Sequence, residues 1–525
     1  MRRALVAAVC LLATGCSFAP PKPDLELPLP PEKPQADAGP AATIPGEGVL
    51  AQRPAIPPLG PFEAPVPTVI TLQNGLKLYV VERRSAGLEA LAFITRHGAA
   101  ADPSGKEGLA SLAAEMLQAG SAGKSQAEVA AAADAMGANL AVFASTDALS
   151  IGLSALAPRL GEMSALLADV ALRPNLKPSD WKKAQGQRLG ELTAAESEPE
   201  VAARAALLAA LYGNGPLGHL PQGTLGSVKR LRLTDVKSFL ASVAPEDSAI
   251  VAVGSASAGT VRSALDGAFG SWKVAGRVST QRPLQTQPLT WPRFVLVNFP
   301  DKPQSVVLVG QPSVPRSSPD VLALELANTI VGGSFTSRLN QNLREQHGYS
   351  YGAFSAFLFG RGPGPFGVQT SVQTDVTGKA VAEVFNELNR MVAEPLSTEE
   401  VSKGKALLAF QLVENLQSVA ATTRAVGNIF LFDLPLDEYR TFVSRLEALT
   451  PATVQEAVRR TLHPEGMALA IAGDAKVILP QLKAEAALNL PSPQLRDAEG
   501  KLLGKSKPVA SAAAASVGSQ PPPHP

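Results

Sequence analysis

The chain has 525 residues, too many for one ordinary domain, and carries a net charge of +1 with no basic block, which argues against a nucleic-acid surface. Hydrophobic residues make up 45% and aromatics only 5%, so alanine fills much of the core, with small side chains and closely packed helices.

Met1-Arg2-Arg3 followed by Ala4 to Ala13 has the charged start and short apolar run of a secretory signal, expected over 1–15, and is too short to span a bilayer. It ends in Leu12-Ala13-Thr14-Gly15-Cys16, which resembles a bacterial lipobox with Ala13 where leucine is more usual. That resemblance implies lipidation at Cys16, and several acyl chains on one cysteine anchor stably. The plain alternative is an ordinary signal peptide cut near Gly15. Ser17 after the cysteine resembles lipoproteins sorted to the outer membrane, so the expected location is the periplasmic side of that membrane. Cys10 is the only other cysteine and lies in the signal, which leaves the mature chain no disulfide and no cysteine metal site. No later apolar run is long enough to suggest a membrane span. Residues 16–67, rich in Pro, Ala and Gly, read as an extended tether.

A first α+β domain is expected over 68–276. Val69 to Leu72 and Leu76 to Val81 flank Asn74-Gly75, a strong hairpin signal, and Leu91 to Thr95 reads as another strand. In Gly108 to Leu117, the apolar residues Leu109, Leu112, Ala113, Met116 and Leu117 form one helical stripe. Ser111 and Glu115 sit off that stripe, one turn apart, with Ala114 beside them. Ser125 and Glu128 form a capping box for a helix ending at Gly137. A strand pair follows over 140–145 and 148–153, then helices over 160–172, 179–195 and 199–211.

The chain then repeats itself. Leu176 and Leu396 each precede a long helix, Thr234 and Thr450 each open a helix, and Gly254 and Gly473 each end an apolar strand. The separation within each pair is nearly the same. Three landmarks in one order at one spacing predict two homologous domains, 68–276 and 293–485, joined by a polar linker at 277–292 and followed by a disordered tail over 486–525.

Gly108 to Leu117 resembles the inverted zinc helix of the M16 (pitrilysin/insulinase) peptidases, G-L-A-H-x-x-E-H-M. On that pattern Ser111 takes the first histidine position, Ala114 the general-base glutamate and Glu115 the second histidine. The family's third ligand, a glutamate on a later helix, falls on Glu191 at the family's usual separation from Glu115. Gly332 to Leu339 and Leu343 to Gly352 resemble the family segment G-G-x-x-S-R-L…L-R-E-x-x-G-x-x-Y. The resemblance implies two tandem α/β domains, antiparallel-rich sheets packed with helices, facing across a cleft. It also implies that Arg344 and Tyr351 hold substrate backbone, through a guanidinium fork and a phenol hydroxyl.

A catalytic zinc needs three protein ligands and an open position. Here both imidazoles are replaced, and Ala114 supplies no base. His97, His219, His347, His463 and His524 include no pair at helical ligand spacing. Glu115 and Glu191 near Ser111 would offer oxygens suited to Ca²⁺, Mg²⁺ or Mn²⁺, which want more ligands than these. Gly360 to Pro365 reads as a loop, since its prolines remove backbone donors that a phosphate cradle needs. Three readings follow. The first is a non-catalytic M16 subunit with no metal of its own, paired with a zinc-bearing M16 peptidase and presenting Arg344 and Tyr351 to peptides. The second is a peptide-binding or scaffold lipoprotein with no proteolytic role. The third is a hydrolase using a non-standard metal.

Overall fold

The computed structural model describes residues 62–84, 87–273, 293–497 and 502–503. The expected signal with Cys16, most of the expected tether, the expected linker at 277–292 and most of the expected tail lie outside the described residues.

The first half is built on a six-stranded sheet. Its strands are β1 (Thr68–Thr71), β2 (Lys77–Glu82), β3 (Leu88–Thr95), β4 (Asn139–Ala144), β5 (Leu149–Leu156) and β6 (Ser248–Gly254), in the order β1-β2-β6-β3-β5-β4. The Asn74-Gly75 turn closes the β1–β2 hairpin, with Gly75 at φ 87°, a conformation glycine adopts without steric cost. The second half has β7 (Phe294–Asn298), β8 (Gln304–Pro312), β9 (Ser350–Phe357), β10 (Pro365–Gln373), β11 (Ala468–Gly473) and β12 (Gln494–Arg496), in the order β12-β7-β11-β8-β10-β9. Five of the six positions correspond, and in each sheet the second and third strands pair in parallel while the next three are antiparallel; the first edge strand differs, β1 being antiparallel to β2 and drawn from the start of its half, β12 parallel to β7 and drawn from the end. This is the repeat that the spacings imply. One piece departs from the sequence reading: Gln494–Arg496, expected in the disordered tail, pairs with β7 as an edge strand. The prolines at 491 and 493 dominate that reading, and they sit just before the strand, where a missing N–H costs nothing.

The central strands β6 and β11 are buried at every position, so both faces of each sheet need cover. Helices of the first half, α1 (Leu109–Gln118), α2 (Gln126–Ala135), α3 (Leu160–Leu172), α6 (Leu233–Ala241) and α7 (Ala258–Phe269), bury their apolar stripes with Leu78, Val80, Leu91, Phe93 and Ile250 on one face. α4 (Pro178–Ala195) lies outside α1, with Trp181 reaching that core. The other face, carrying Tyr79, Val81, Ile94, Val251 and Val253, is covered by α11 (Val419–Leu431) of the second half, through Val426, Ile429 and Phe430. Gly427 permits the approach, because a Cβ there would stand 2.5 Å from Ile94 Cδ1. The exchange is reciprocal. α5 (Pro199–Tyr212), expected to belong with the first domain, packs Ala203, Leu207 and Leu211 on the second sheet against Val295, Leu308 and Ala470. The second half's other helices include α8 (Val321–Val331), α9 (Thr377–Ala393), α10 (Thr398–Leu416), α12 (Pro451–Thr461) and α13 (Ala475–Ala484). α5 and α11 open at Pro199 and Val419, which are offset like Leu176 and Leu396, so the exchanged helices are themselves repeat partners.

Polar ties reinforce the exchange. Arg83 Nη1 donates to Leu416 O at 3.0 Å and to Thr422 Oγ1 at 3.1 Å. Tyr212 OH donates to Pro363 O at 3.0 Å, and the Arg361 amide donates to Asp147 Oδ1 at 3.3 Å. Arg96 pairs with Asp433 and lies over the Phe430 ring, 4.5 Å from its centroid. With each half completing the other's core, the halves should unfold together. Phe430→Ala should cost about 3–5 kcal/mol and speed amide exchange in β6 of the opposite half, measured by hydrogen–deuterium exchange. Loss of protection confined to the second half would contradict this coupling.

Candidate functional site

The site is placed by the start of α1. Gly108, at φ 96°, turns the chain into the helix, and a Cβ there would lie 2.7 Å from Gln222 O, so the 220–223 loop rests against this turn. Buried Asp102 accepts from the amides of Gly108, Leu109 and Ala110 at 2.8, 3.1 and 2.9 Å, which satisfies the free donors of the first turn. The apolar stripe then faces the sheet, as the periodicity requires, and Ala114 is drawn into the core with it. Ala114 is buried and offers no carboxylate.

Ser111 and Glu115 point away from the sheet toward α4, and there they meet an arginine. Arg188, buried on the inner side of α4, donates from Nη1 to Ser111 Oγ at 2.8 Å, pairs through Nη2 with Glu115, and donates from Nε to Glu191 Oε2 at 3.1 Å. Nη1 also lies 3.5 Å from Gln222 O. Gln187 steadies Glu191 from its other oxygen at 3.0 Å. The structure thus brings together the three positions that the zinc pattern singled out, and their common partner is a guanidinium. Burial pulls the Arg188 pKa down and Glu191 pulls it back, and an arginine remains charged throughout the working range.

These residues do not fit zinc. No imidazole is present, and Ser111, Glu115 and Glu191 are already turned onto one planar cation. The same arrangement corrects the oxygen-ligand reading for Ca²⁺, Mg²⁺ or Mn²⁺, since the carboxylates that would bind such an ion are paired with Arg188. Among the described residues, no group of three or more His, Cys, Asp or Glu side chains is arranged to hold a metal. His97 is a core residue: its Nδ1 lies 3.1 Å from Thr95 Oγ1, its ring meets Phe239 edge-on, and burial holds its pKa down. His347 is exposed and stacks on Tyr349.

Arg344 and Tyr351 stand on the second half, each on an irregular backbone. Arg344 lies in a π-helical turn, Gln341–Gln346, with its guanidinium 4.4 Å from the Phe335 ring centroid and its Nε 3.5 Å from Glu345. Tyr351 is 93% exposed on edge strand β9, where the register shifts between Ser350 and Ala353. Buried Asn340, just before the π-turn, ties that segment to β9, its Oδ1 accepting from the Ala353 amide at 2.9 Å and its Nδ2 donating to Ser334 O at 3.2 Å. Asn342 anchors the π-turn to Glu383 and Glu387 at 2.8 and 2.9 Å. Gly332 and Gly333 are packing glycines, since added Cβ atoms would stand 2.5 Å from Ser355 Oγ and Asn328 Nδ2. Arg338 forks onto Glu400; burial works against that carboxyl's charge, but the fork and the Ser397 amide bring its pKa down to about 2. Within this signature Arg338 therefore holds structure, while Arg344 and Tyr351 face outward.

The sequence reading missed Arg188. The signal available was helical spacing: Arg188 lies one turn from Glu191 on the same helix face, where a cation can pair with that carboxylate. Asp102 was missed as well, and it offers a direct check. Asp102→Ala should destabilise the fold by about 2 kcal/mol by leaving buried amides unpaired, read from denaturant unfolding. A change below about 0.5 kcal/mol would show that the first turn of α1 does not depend on it.

Comparison with known proteins agrees with this frame. Residues 84–223 match the family model for insulinase (peptidase family M16), and residues 230–408 match that for the peptidase M16 inactive domain. An uncharacterized zinc protease of Mycobacterium bovis is 25% identical over 434 residues, covering 81% of this chain and 97% of that protein. A non-peptidase homolog of Helicobacter pylori is 23% identical over 396 residues, covering 74% of this chain and 89% of that protein. Among solved structures, a peptidase M16 inactive domain from Pseudomonas fluorescens has a TM-score of 0.73 at 23% identity, covering 78% of this chain and 98% of its own. The chain belongs to the M16 peptidase family, as a member whose zinc-helix positions hold Ser111, Ala114 and Glu115 and whose ligand frame is closed by Arg188.

Proposed function

We propose that this chain is a non-catalytic M16 subunit that pairs with a zinc-bearing M16 peptidase and helps hold the partner's peptide substrate through Arg344 and Tyr351. The observation that carries the reading is a contrast within one molecule. The metal frame is closed by Arg188, whereas Tyr351 stands fully outward and Arg344 remains partly exposed, each on a backbone irregularity held by a buried asparagine. Irregular backbone kept in place by buried polar anchors is a recurrent feature of functional sites. A relative named a non-peptidase homolog is in keeping with a chain that does no chemistry alone. The zinc then belongs to the partner, and this chain supplies hydrogen-bond donors to substrate backbone or to developing oxyanion charge. The lipobox-like end at Cys16 would keep the complex on the periplasmic side of the outer membrane, with residues 16–67 as its tether.

A scaffold role without substrate contact is the second reading. One observation favours it: Arg344 is already engaged with Phe335 and Glu345.

Peptide hydrolysis by the co-expressed pair, compared with the zinc partner alone, separates the two. Arg344→Ala or Tyr351→Phe should lower turnover of the complex by about 10²–10³, with complex formation and melting temperature near wild type. Arg344→Lys should rescue poorly, because a point charge does not reproduce a planar fork. Full activity in both variants would leave the scaffold reading in place. For the anchor, Cys16→Ser should release the protein from membranes or leave the precursor uncleaved. Fractionation and maturation identical to wild type would rule out lipidation at Cys16.

A further inference from the structure

We propose that the Arg188 guanidinium is the resident cation of this site: it joins α1, α4 and the 220–223 loop in a metal's stead and keeps divalent ions out. The geometry assigns this role from three sides. Each edge of the guanidinium is used: Nε on Glu191 of α4, Nη2 on Glu115 and Nη1 on Ser111 of α1, with Gln222 O at the end of the reach. Two carboxylates and a hydroxyl from two helices, converging on one buried positive charge, are what a divalent ion would otherwise organise. The Arg188 side chain is only 7% exposed, against 28% and 51% for Glu115 and Glu191, so the cation is the innermost member and the acids enclose it. A divalent ion entering the frame would meet a like charge at close range and would have to take Glu115 and Glu191 from a fork that already satisfies them.

The loss of the histidines and the presence of the arginine therefore act separately. Restoring the histidines alone would not reopen the site. Arg188 also makes this half of the chain independent of metal supply, because the two carboxylates are neutralised by the chain itself.

The test uses the full mature chain with zinc alone as the probe. A Ser111→His, Glu115→His variant that keeps Arg188 should hold zinc at least tenfold more weakly, by equilibrium dialysis, than the same variant with Arg188→Ala, which should bind one zinc per chain through the two histidines and Glu191. Equal zinc affinity with and without Arg188 would overturn the exclusion, and so would failure of both variants to bind, because the frame would then not be at metal spacing. A second measurement covers the structural role and needs no metal. Arg188→Met keeps the aliphatic length and should lower the melting temperature by about 5 °C or more. Glu115→Gln added to it should recover part of that loss by removing an uncompensated carboxylate, and millimolar methylguanidinium should stabilise Arg188→Met but not the double variant. Additive losses with no methylguanidinium effect would reduce Arg188 to an ordinary surface pair.

Discussion

The fold depends on one constraint: each sheet is apolar on both faces, and its own helices cover only one. Strands such as β6 and β11, buried along their whole length, cannot tolerate a solvated side. The chain meets this by exchanging a helix, α11 onto the first sheet and α5 onto the second, so that neither half has a complete core alone. Small residues make the exchange possible. Gly427 lets α11 close on Ile94, and Ala203 and Ala210 let α5 lie flat on β7, β8 and β11. The low aromatic and high alanine content of the sequence has its explanation in these close helix–sheet contacts.

The same interlocking holds the two candidate surfaces in fixed relation within one body. α4 and α5 follow one another in sequence, yet α4 packs beside α1 at the Arg188 site while α5 crosses to the second sheet, where Glu200 accepts from Gln369 of β10 at 2.7 Å. Arg188 and the strand pair bearing Tyr351 are thus linked through two consecutive helices. A chain built this way presents both surfaces on one template. The electrostatics fit that role. A buried guanidinium is costly unless anions meet it, and Glu115 and Glu191, both partly exposed, supply them without dependence on metal concentration.

Much of the fold was legible in the sequence. The hairpin at Asn74-Gly75, the capping box at Ser125, the stripe of α1 and the landmarks repeating at near-constant spacing all follow from local rules, and local rules operate here. The destination of α5 was not legible, because an amphipathic helix announces that it has an apolar face and not which sheet that face will meet. The edge strand at 494–496 was hidden by its prolines. At the site, the pattern located Ser111, Glu115 and Glu191, but the side chain that joins them lies on no motif. Arg188 becomes visible only when the charges of the degenerate frame are balanced, which is a three-dimensional question.

On the proposed role of Arg188, this M16 chain needs no metal of its own, because the guanidinium occupies the ligand frame. Metal analysis of the purified mature wild-type protein tests it most directly. The protein should hold no stoichiometric zinc after dialysis against zinc-containing buffer. One tightly held zinc per chain, lost on Glu191→Ala, would contradict it.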